Sequence, residues 1–397
     1  MMMTPMTPPM ITPPAPPAAR GAVARLPASR IREVANSAIG RNDVLAFWFG
    51  EPAEVTDARI REAAVAALAA GDTFYHPNLG SAALRAAIAG YASRLHGPID
   101  AGRIAVTSSG VTALMLAVQT IVDPGDRVVV VSPVWPNLPA MPALLGAEVV
   151  RVELAVDRTT RRWQLDVDAL LAALTPATRL LMINSPGNPT GWVIERAAID
   201  AIVAHCRAHG IWILSDEAYE RLAFGRDCAP SFLDATTADD RLIVANTFSK
   251  TWQMTGWRLG WLVLPTALVA DVEKLIEFNT SCAPGFVQQA GVAAIATGEA
   301  PIRRFAALVE SGTHALADAL AALPGVSGVR PDGAMYLMLA IDGHDDSVRL
   351  ARQLVAEAGL GIAPGAAFGP ASSRYLRWCT PGRSRSCWKA PAACKRS

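Results

Sequence analysis

The chain has 397 residues with 36 basic and 35 acidic side chains, a near balance that argues against nucleic acid or an anionic membrane surface and for a small-molecule partner. Hydrophobic residues make up 51%, much of it alanine, yet no run reaches the length of about 18 apolar residues that a membrane helix needs, which excludes such a span. Six scattered cysteines give neither a dense disulfide framework nor the close pairs of a zinc site, so a reducing cytoplasm and no metal are expected.

Residues 1–29 are rich in Met, Pro, Thr and Ala and are expected to be a disordered leader. Pro8, Pro9, Pro13, Pro14, Pro16 and Pro17 interrupt any helix or secretory apolar centre, while Arg20, Arg25 and Arg30 without acids leave a transit peptide as an alternative. The rest exceeds the roughly 250 to 300 residues that one core fills, so two domains are expected. Residues 30–62 are assigned to a smaller domain, which resumes at 301–380, and residues 63–300 to a larger one. In the larger part, short β-branched runs at 127–131, 148–154, 179–184, 211–215, 242–247 and 259–263 read as strands. Between them, Val111, Leu114, Met115, Val118, Ile121 and Val122 recur at helical spacing, as do Ile199, Ile202, Val203 and Cys206. This alternation predicts an α/β domain, a mostly parallel sheet sandwiched by helices. Past residue 300 come a long Ala/Leu helix, a strand at 334–339 and a helix near 348–358, which predict an α+β unit. Residues 381–397 carry Arg383, Arg385, Lys389, Lys395 and Arg396 and no acid, an atypical tail that reads as a solvated basic segment or a frame-shifted, non-native end.

Six segments carry candidate chemistry. Thr107-Ser-Ser109-Gly110-Val111 leads from a strand into a helix, where free backbone N–H groups and the helix dipole suit a phosphate; an ordinary N-cap has the same composition. Ser132-Pro-Val-Trp135 offers a flat aromatic face for stacking, or for core packing. Asn184-Ser-Pro-Gly-Asn188-Pro-Thr-Gly191 is a tight turn able to aim the Asn188 amide inward. Asp216, in Ser215-Asp216-Glu217-Ala-Tyr219, ends a hydrophobic strand, where open α/β sheets bind ligands and where a carboxylate can keep a pyridine nitrogen protonated. Lys250 follows the next strand, eight residues before Arg258, and burial among apolar neighbours lowers an amine pKa toward the nucleophilic form. Arg377, in Arg374-Tyr-Leu-Arg377-Trp378, has the planar fork that grips a carboxylate with two hydrogen bonds.

In this order the motifs resemble the class I and II aminotransferases of pyridoxal-phosphate (PLP) fold type I, over roughly residues 40 to 380. The resemblance implies a PLP-dependent, ping-pong transaminase that passes an amino group from an L-amino acid to a 2-oxo acid. By it, Lys250 forms the internal aldimine and shuttles the substrate proton, and Asp216 pairs with the pyridinium nitrogen. Asn188 and Tyr219 meet the phenolic oxygen, and Trp135 stacks on the ring. Ser109, Gly110, Val111, Ser249 and Arg258 hold the phosphate, and Arg377 the substrate α-carboxylate. Phe49-Gly50-Glu51-Pro52 and Thr73-Phe-Tyr75 also fit, with Gly50 beside the substrate and Tyr75 reaching the phosphate of a neighbouring subunit, which implies a homodimer with shared active sites. Thr247 keeps a hydroxyl where many relatives have serine, and the family's final helix is missing or scrambled after Thr380.

One arginine accounts only for the carboxylate common to all amino acids; segment 276–289 offers no cation for a distal acid, which disfavours strict aspartate specificity, but Arg or Lys from elsewhere could serve, so the side-chain pocket stays open. A PLP-dependent lyase, by β-elimination or like an aminocyclopropane-carboxylate synthase, shares every motif. A PLP-sensing regulator would need about 60 residues of basic winged-helix text, which the proline-rich first 40 do not supply. Gly359-Leu-Gly361-Ile-Ala-Pro-Gly365 has the wrong spacing and place for a dinucleotide loop, and His205 and His209 lack a third metal ligand, so they read as ordinary helix residues.

Overall fold

Runs rich in valine, isoleucine and leucine make strands buried on both faces, and such strands, with the half-buried edge strand Glu148–Glu153, build the seven-stranded central sheet of the computed structural model, which describes residues 18–380. In chain order they are β1 (Ile104–Thr107), β2 (Arg127–Ser132), β3 (Glu148–Glu153), β4 (Thr178–Asn184), β5 (Trp212–Asp216), β6 (Leu242–Thr247) and β7 (Gly260–Val263). They lie in the order β1-β7-β6-β5-β4-β2-β3, and every pair is parallel except those of β7, which runs antiparallel to both β1 and β6. The reversal follows from the link between β6 and β7. It holds only single helical turns, whereas a parallel return needs a longer crossover, usually a full helix.

The two-residue period of each strand sorts its side chains to opposite faces. Val129, Leu181, Ile213 and Val244 join one core with helices α1 (Ala58–Ala69) and α2 (Ala82–His96), while Val128, Leu180, Leu214 and Ile243 join another with α3 (Gly110–Ile121). Helix α4 (Arg196–His209) presents Ile199, Ile202, Val203 and Cys206 to the first core, as their spacing predicts. Helix α5 (Gly285–Ala296) packs there too, through Val287, Ala290 and Ala294. Burying such a side chain contributes about 1.5–3 kcal/mol, so these layers hold the strand ends in fixed register.

The second unit has its own core, drawn from Ile31 and Val34 at one end of the chain and from residues between Phe305 and Cys379 at the other. Strands β8 (Val326–Val329), β9 (Tyr336–Ile341), β10 (Ala363–Pro364) and β11 (Leu376–Cys379) form an antiparallel sheet in the order β8-β9-β11-β10. Helix α6 (Glu299–Ala321) gives Ile302 to the large core and Phe305, Val309 and Leu320 to the small one, so it ties the units together. Helix α7 (Ser347–Ala358) covers the small sheet through Leu350, Leu354 and Val355.

Two expectations need correction. The boundary expected at 62/63 falls inside α1, whose Ile60 and Ala64 both bury in the large core, because an amphipathic helix follows its apolar stripe rather than a change in composition. The leader expected to be disordered through residue 29 contains a helical turn, Gly21–Ala24, and Arg20 Nη2 donates to the Leu144 carbonyl at 2.8 Å. Prolines are absent between residues 18 and 26, so the objection to a helix stops there. Residues 1–17, the basic tail 381–397 and the expectation about a final helix after Thr380 lie outside the described residues. Among the described residues no helix is long and apolar enough to cross a membrane.

Candidate active site

Strands β4, β5 and β6 end side by side, with β1 on the far side of the antiparallel β7, and a cavity of about 570 Å³ opens beyond the carboxyl ends of the three, lined by Asn184, Asp216 and Thr247 from those termini and by Lys250. This is where open α/β sheets place ligands, because loops and helix N-termini converge there. The small domain closes the cavity from the other side with Tyr336 and Arg377. Lys250 and Asp216 therefore share one pocket.

Thr247 caps the helical turn Phe248–Thr251 by accepting from the Ser249 N–H at 3.1 Å, and this turn carries Lys250 inward. Lys250 Nζ donates to the Gly50 carbonyl at 2.6 Å and lies 5.8 Å from the centre of the Tyr219 ring. Burial pushes its pKa down to about 8. Asp216 is buried at the end of β5, and Oδ1 accepts from the Ala218 N–H at 3.2 Å. Burial pushes this carboxyl up to about 7, partly offset by that N–H and by the Lys250 charge. A carboxylate so placed gains from a cation beside it.

The turn after β4 is held by Asn184, which accepts the Asn188 N–H at 2.7 Å and donates to the Asp216 carbonyl at 3.0 Å. Asn188 Oδ1 in turn accepts from Arg377 Nη1 at 2.9 Å. Arg377 is buried, donates through Nη2 to the Trp48 carbonyl, and lies 4.5 Å above the Tyr336 ring and 4.9 Å from that of Phe368. Its Nε is buried with no hydrogen-bond partner among the described residues, a donor that an anionic ligand would satisfy.

At the other end of the cavity, α3 begins with Gly110 and Val111 lining the wall. Ser109 takes the N-cap position, with φ 146° and its Oγ accepting from the Thr112 N–H at 3.0 Å, so its hydroxyl serves the helix and not the cavity wall. Gly260 on β7 makes room for this helix start, since a Cβ there would lie 2.5 Å from the Gly110 nitrogen. Ser249 and Arg258 also line the wall; Ser249 Oγ is 2.9 Å from Thr247 Oγ1, and Arg258, in a left-handed conformation, donates to the Thr255 carbonyl at 2.7 Å. Free helix N–H groups beside a guanidinium make an anion cradle. Trp135 and Gly50 line the same cavity.

Tyr75 is not brought here: it is 88% exposed and absent from the cavity wall. Tyr336, which no sequence motif marks, is central instead. Its hydroxyl is 2.6 Å from that of Tyr219, and a Cβ at Gly50 would strike it at 1.9 Å. The only sequence signal was a lone hydroxyl in the apolar strand expected at 334–339. His205 and His209 stack at 4.3 Å on α4, and His205 Nε2 lies 2.8 Å from the Leu174 carbonyl, as helix residues.

Comparison with known proteins finds relatives along most of the chain. The family model "Aminotransferase class I and II" matches residues 41–388. The chain is 35% identical over 341 residues to an arginine–pyruvate transaminase of Pseudomonas aeruginosa, covering 84% of this chain and 85% of that protein. It is 32% identical to an aspartate aminotransferase of Musicola paradisiaca, covering 83% and 82%. Among solved structures, N-succinyldiaminopimelate aminotransferase of Mycobacterium tuberculosis superposes with a TM-score of 0.89 at 28% identity, covering 95% of this chain and 99% of that one. A mutant aspartate aminotransferase of Thermus thermophilus gives 0.88 at 30% identity, covering 96% and 99%.

Proposed function

The chain belongs to the class I and II aminotransferases, and from that premise we propose which of its residues carry out the transfer. It is a PLP-dependent transaminase acting on amino acids and 2-oxo acids, with the fold of PLP fold type I. Bound PLP supplies an aldehyde carbon that carries the amino group and a ring that withdraws electrons from the substrate.

The cavity fits that cofactor. An unpaired cation is what the buried Asp216 carboxyl calls for, and a ring N–H⁺ supplies it. The α3 terminus, crowded against β7 through Gly260, offers N–H groups to a phosphate, with Ser249 and Arg258 beside it. Trp135 offers a ring face, and Asn188 and Tyr219 offer donors to a phenolic oxygen. In this reading Asp216 holds a proton on the ring nitrogen. With PLP bound, neutral Lys250 Nζ would be the amine that holds the cofactor through its aldehyde, and, once the substrate amine displaces it, the base that takes the proton from the substrate α-carbon. Arg377 orients the donor by its α-carboxylate, with Nε free for one of the two hydrogen bonds.

The reading rests on one observation: Lys250, Asp216 and Arg377 meet in a single cavity although 34 and 127 positions separate their places in the chain. The exposed Tyr75, next to the exposed Phe74, supports a homodimer in which each tyrosine serves the partner's cavity. A cytoplasmic location is supported by Cys206, Cys228 and Cys282, which form no disulfide among the described residues.

Purified holoenzyme tests the assignment by absorbance. The cofactor band should bleach on adding an amino acid and return with a 2-oxo acid, without release of ammonia, and Lys250→Ala should lose the cycle. A Lys250→Ala enzyme cycling at the wild-type rate refutes the role of Lys250, and stoichiometric ammonia release points to elimination instead.

A further inference from the structure

Three segments far apart in the chain meet outside the active-site cavity: the end of α2, the loop after β5, and the loop before the short helix Phe232–Ala235. They bring together His96, Glu220 and Cys228, whose ligating atoms all lie within 4.8 Å of one another. We propose that these three residues form a binding site for a zinc-class divalent cation.

The geometry carries the proposal. Zinc bonds of about 2.0–2.3 Å to nitrogen, oxygen and sulfur, set tetrahedrally, put ligand atoms about 3.4 Å (N to O) and about 3.6 Å (N to S) apart. His96 Nε2 lies 3.5 Å from Glu220 Oε2 and 3.7 Å from Cys228 Sγ. The other atoms of the same groups are already committed. His96 Nδ1 is 2.9 Å from Asp234 Oδ1, and Asp234 is itself fixed by accepting the Ser231 N–H at 3.0 Å through Oδ2. A carboxylate on Nδ1 sets the ring so that Nε2 faces the cluster, the arrangement that orients metal-binding histidines. Tyr91 donates to Glu220 Oε1 at 2.7 Å, which leaves Oε2 as the atom turned to His96.

Ligand chemistry narrows the cation. One imidazole, one sulfur and one carboxylate oxygen suit a borderline-soft ion such as zinc and disfavour magnesium and calcium, which take oxygen. The side chains of His96 and Glu220 are 2% and 6% exposed, while Cys228 is partly buried and follows the exposed stretch 225–227, which gives an entry path. The ligands arise from three segments, so no paired-cysteine spacing marks them in the sequence. Binding would fasten the loop that follows Tyr219 to the end of α2.

The test uses full-length holoenzyme with Cys282, Cys387 and Cys394 changed to serine, so that these thiols do not compete. Titration with cadmium(II) chloride should give a thiolate-to-metal absorbance band saturating near one equivalent per chain, displaced by zinc chloride, together with a rise in Tm. Cys228→Ser should remove the band, and His96→Gln or Glu220→Gln should weaken binding by about 10-fold or more. If His96→Gln fails to fold, the near-isosteric Cys228→Ser decides. No band, or an equal band in Cys228→Ser, overturns the proposal. Metal uptake is read without turnover, so its failure leaves the transaminase reading untouched.

Discussion

A lysine with pKa about 8 is mostly neutral at pH 9 and mostly charged at pH 7, unlike an exposed lysine, which stays charged throughout. Only the neutral amine attacks an aldehyde. The rate constant for PLP capture by cofactor-stripped protein should therefore rise about tenfold per pH unit below about 8 and level off above it. A rate that keeps climbing to pH 10 would mean that the amine is not desolvated. Tyr336 acts at the same scale. Its hydroxyl meets that of Tyr219 at 2.6 Å, and Tyr336→Phe leaves Tyr219 one partner short at a cost of about 1 kcal/mol. The expected result is a fall of about fivefold in kcat/KM with the fold intact by circular dichroism, and an unchanged kcat/KM would remove Tyr336 from the positioning set.

Among the elements, the contact of β7 with the start of α3 shapes the end of the cavity proposed to take the phosphate. Gly260→Ala puts a Cβ 2.5 Å from the Gly110 nitrogen and 2.9 Å from the Asn246 carbonyl oxygen, both backbone atoms that cannot swing aside. Overpacking of this kind costs about 1–3 kcal/mol. Thermal melting should show that loss, and equilibrium dialysis should show weaker PLP binding. Gly256→Ala is the control, because nothing lies within 4 Å of its new Cβ; its effect should stay within about 0.5 kcal/mol. Equal effects of the two substitutions would contradict the close-approach account.

Across the whole molecule, the exposed Tyr75 and the cavity-lining Lys250 make shared active sites testable by complementation. Lys250→Ala and Tyr75→Ala chains, each impaired alone, should regain up to about half the wild-type sites per mixed dimer when they are unfolded and refolded together. One site then collects both defects and the other collects neither. Mixtures no more active than the sum of the separate variants would show that Tyr75 serves no partner.

Much of the fold was legible along the chain because local chemistry repeats there. Buried strands need continuous apolar runs and helices need an apolar stripe, so the α/β sheet and the places of Asn188, Asp216 and Lys250 at or just past strand ends could be read in order. The reversed direction of β7, the use of the Ser109 hydroxyl as a helix cap, the part played by Tyr336 and the meeting of His96, Glu220 and Cys228 could not. Each depends on distances between segments far apart in sequence, and those distances are set by how whole layers pack. A strand's pattern tells which of its faces is buried; only tertiary packing decides what lies against it.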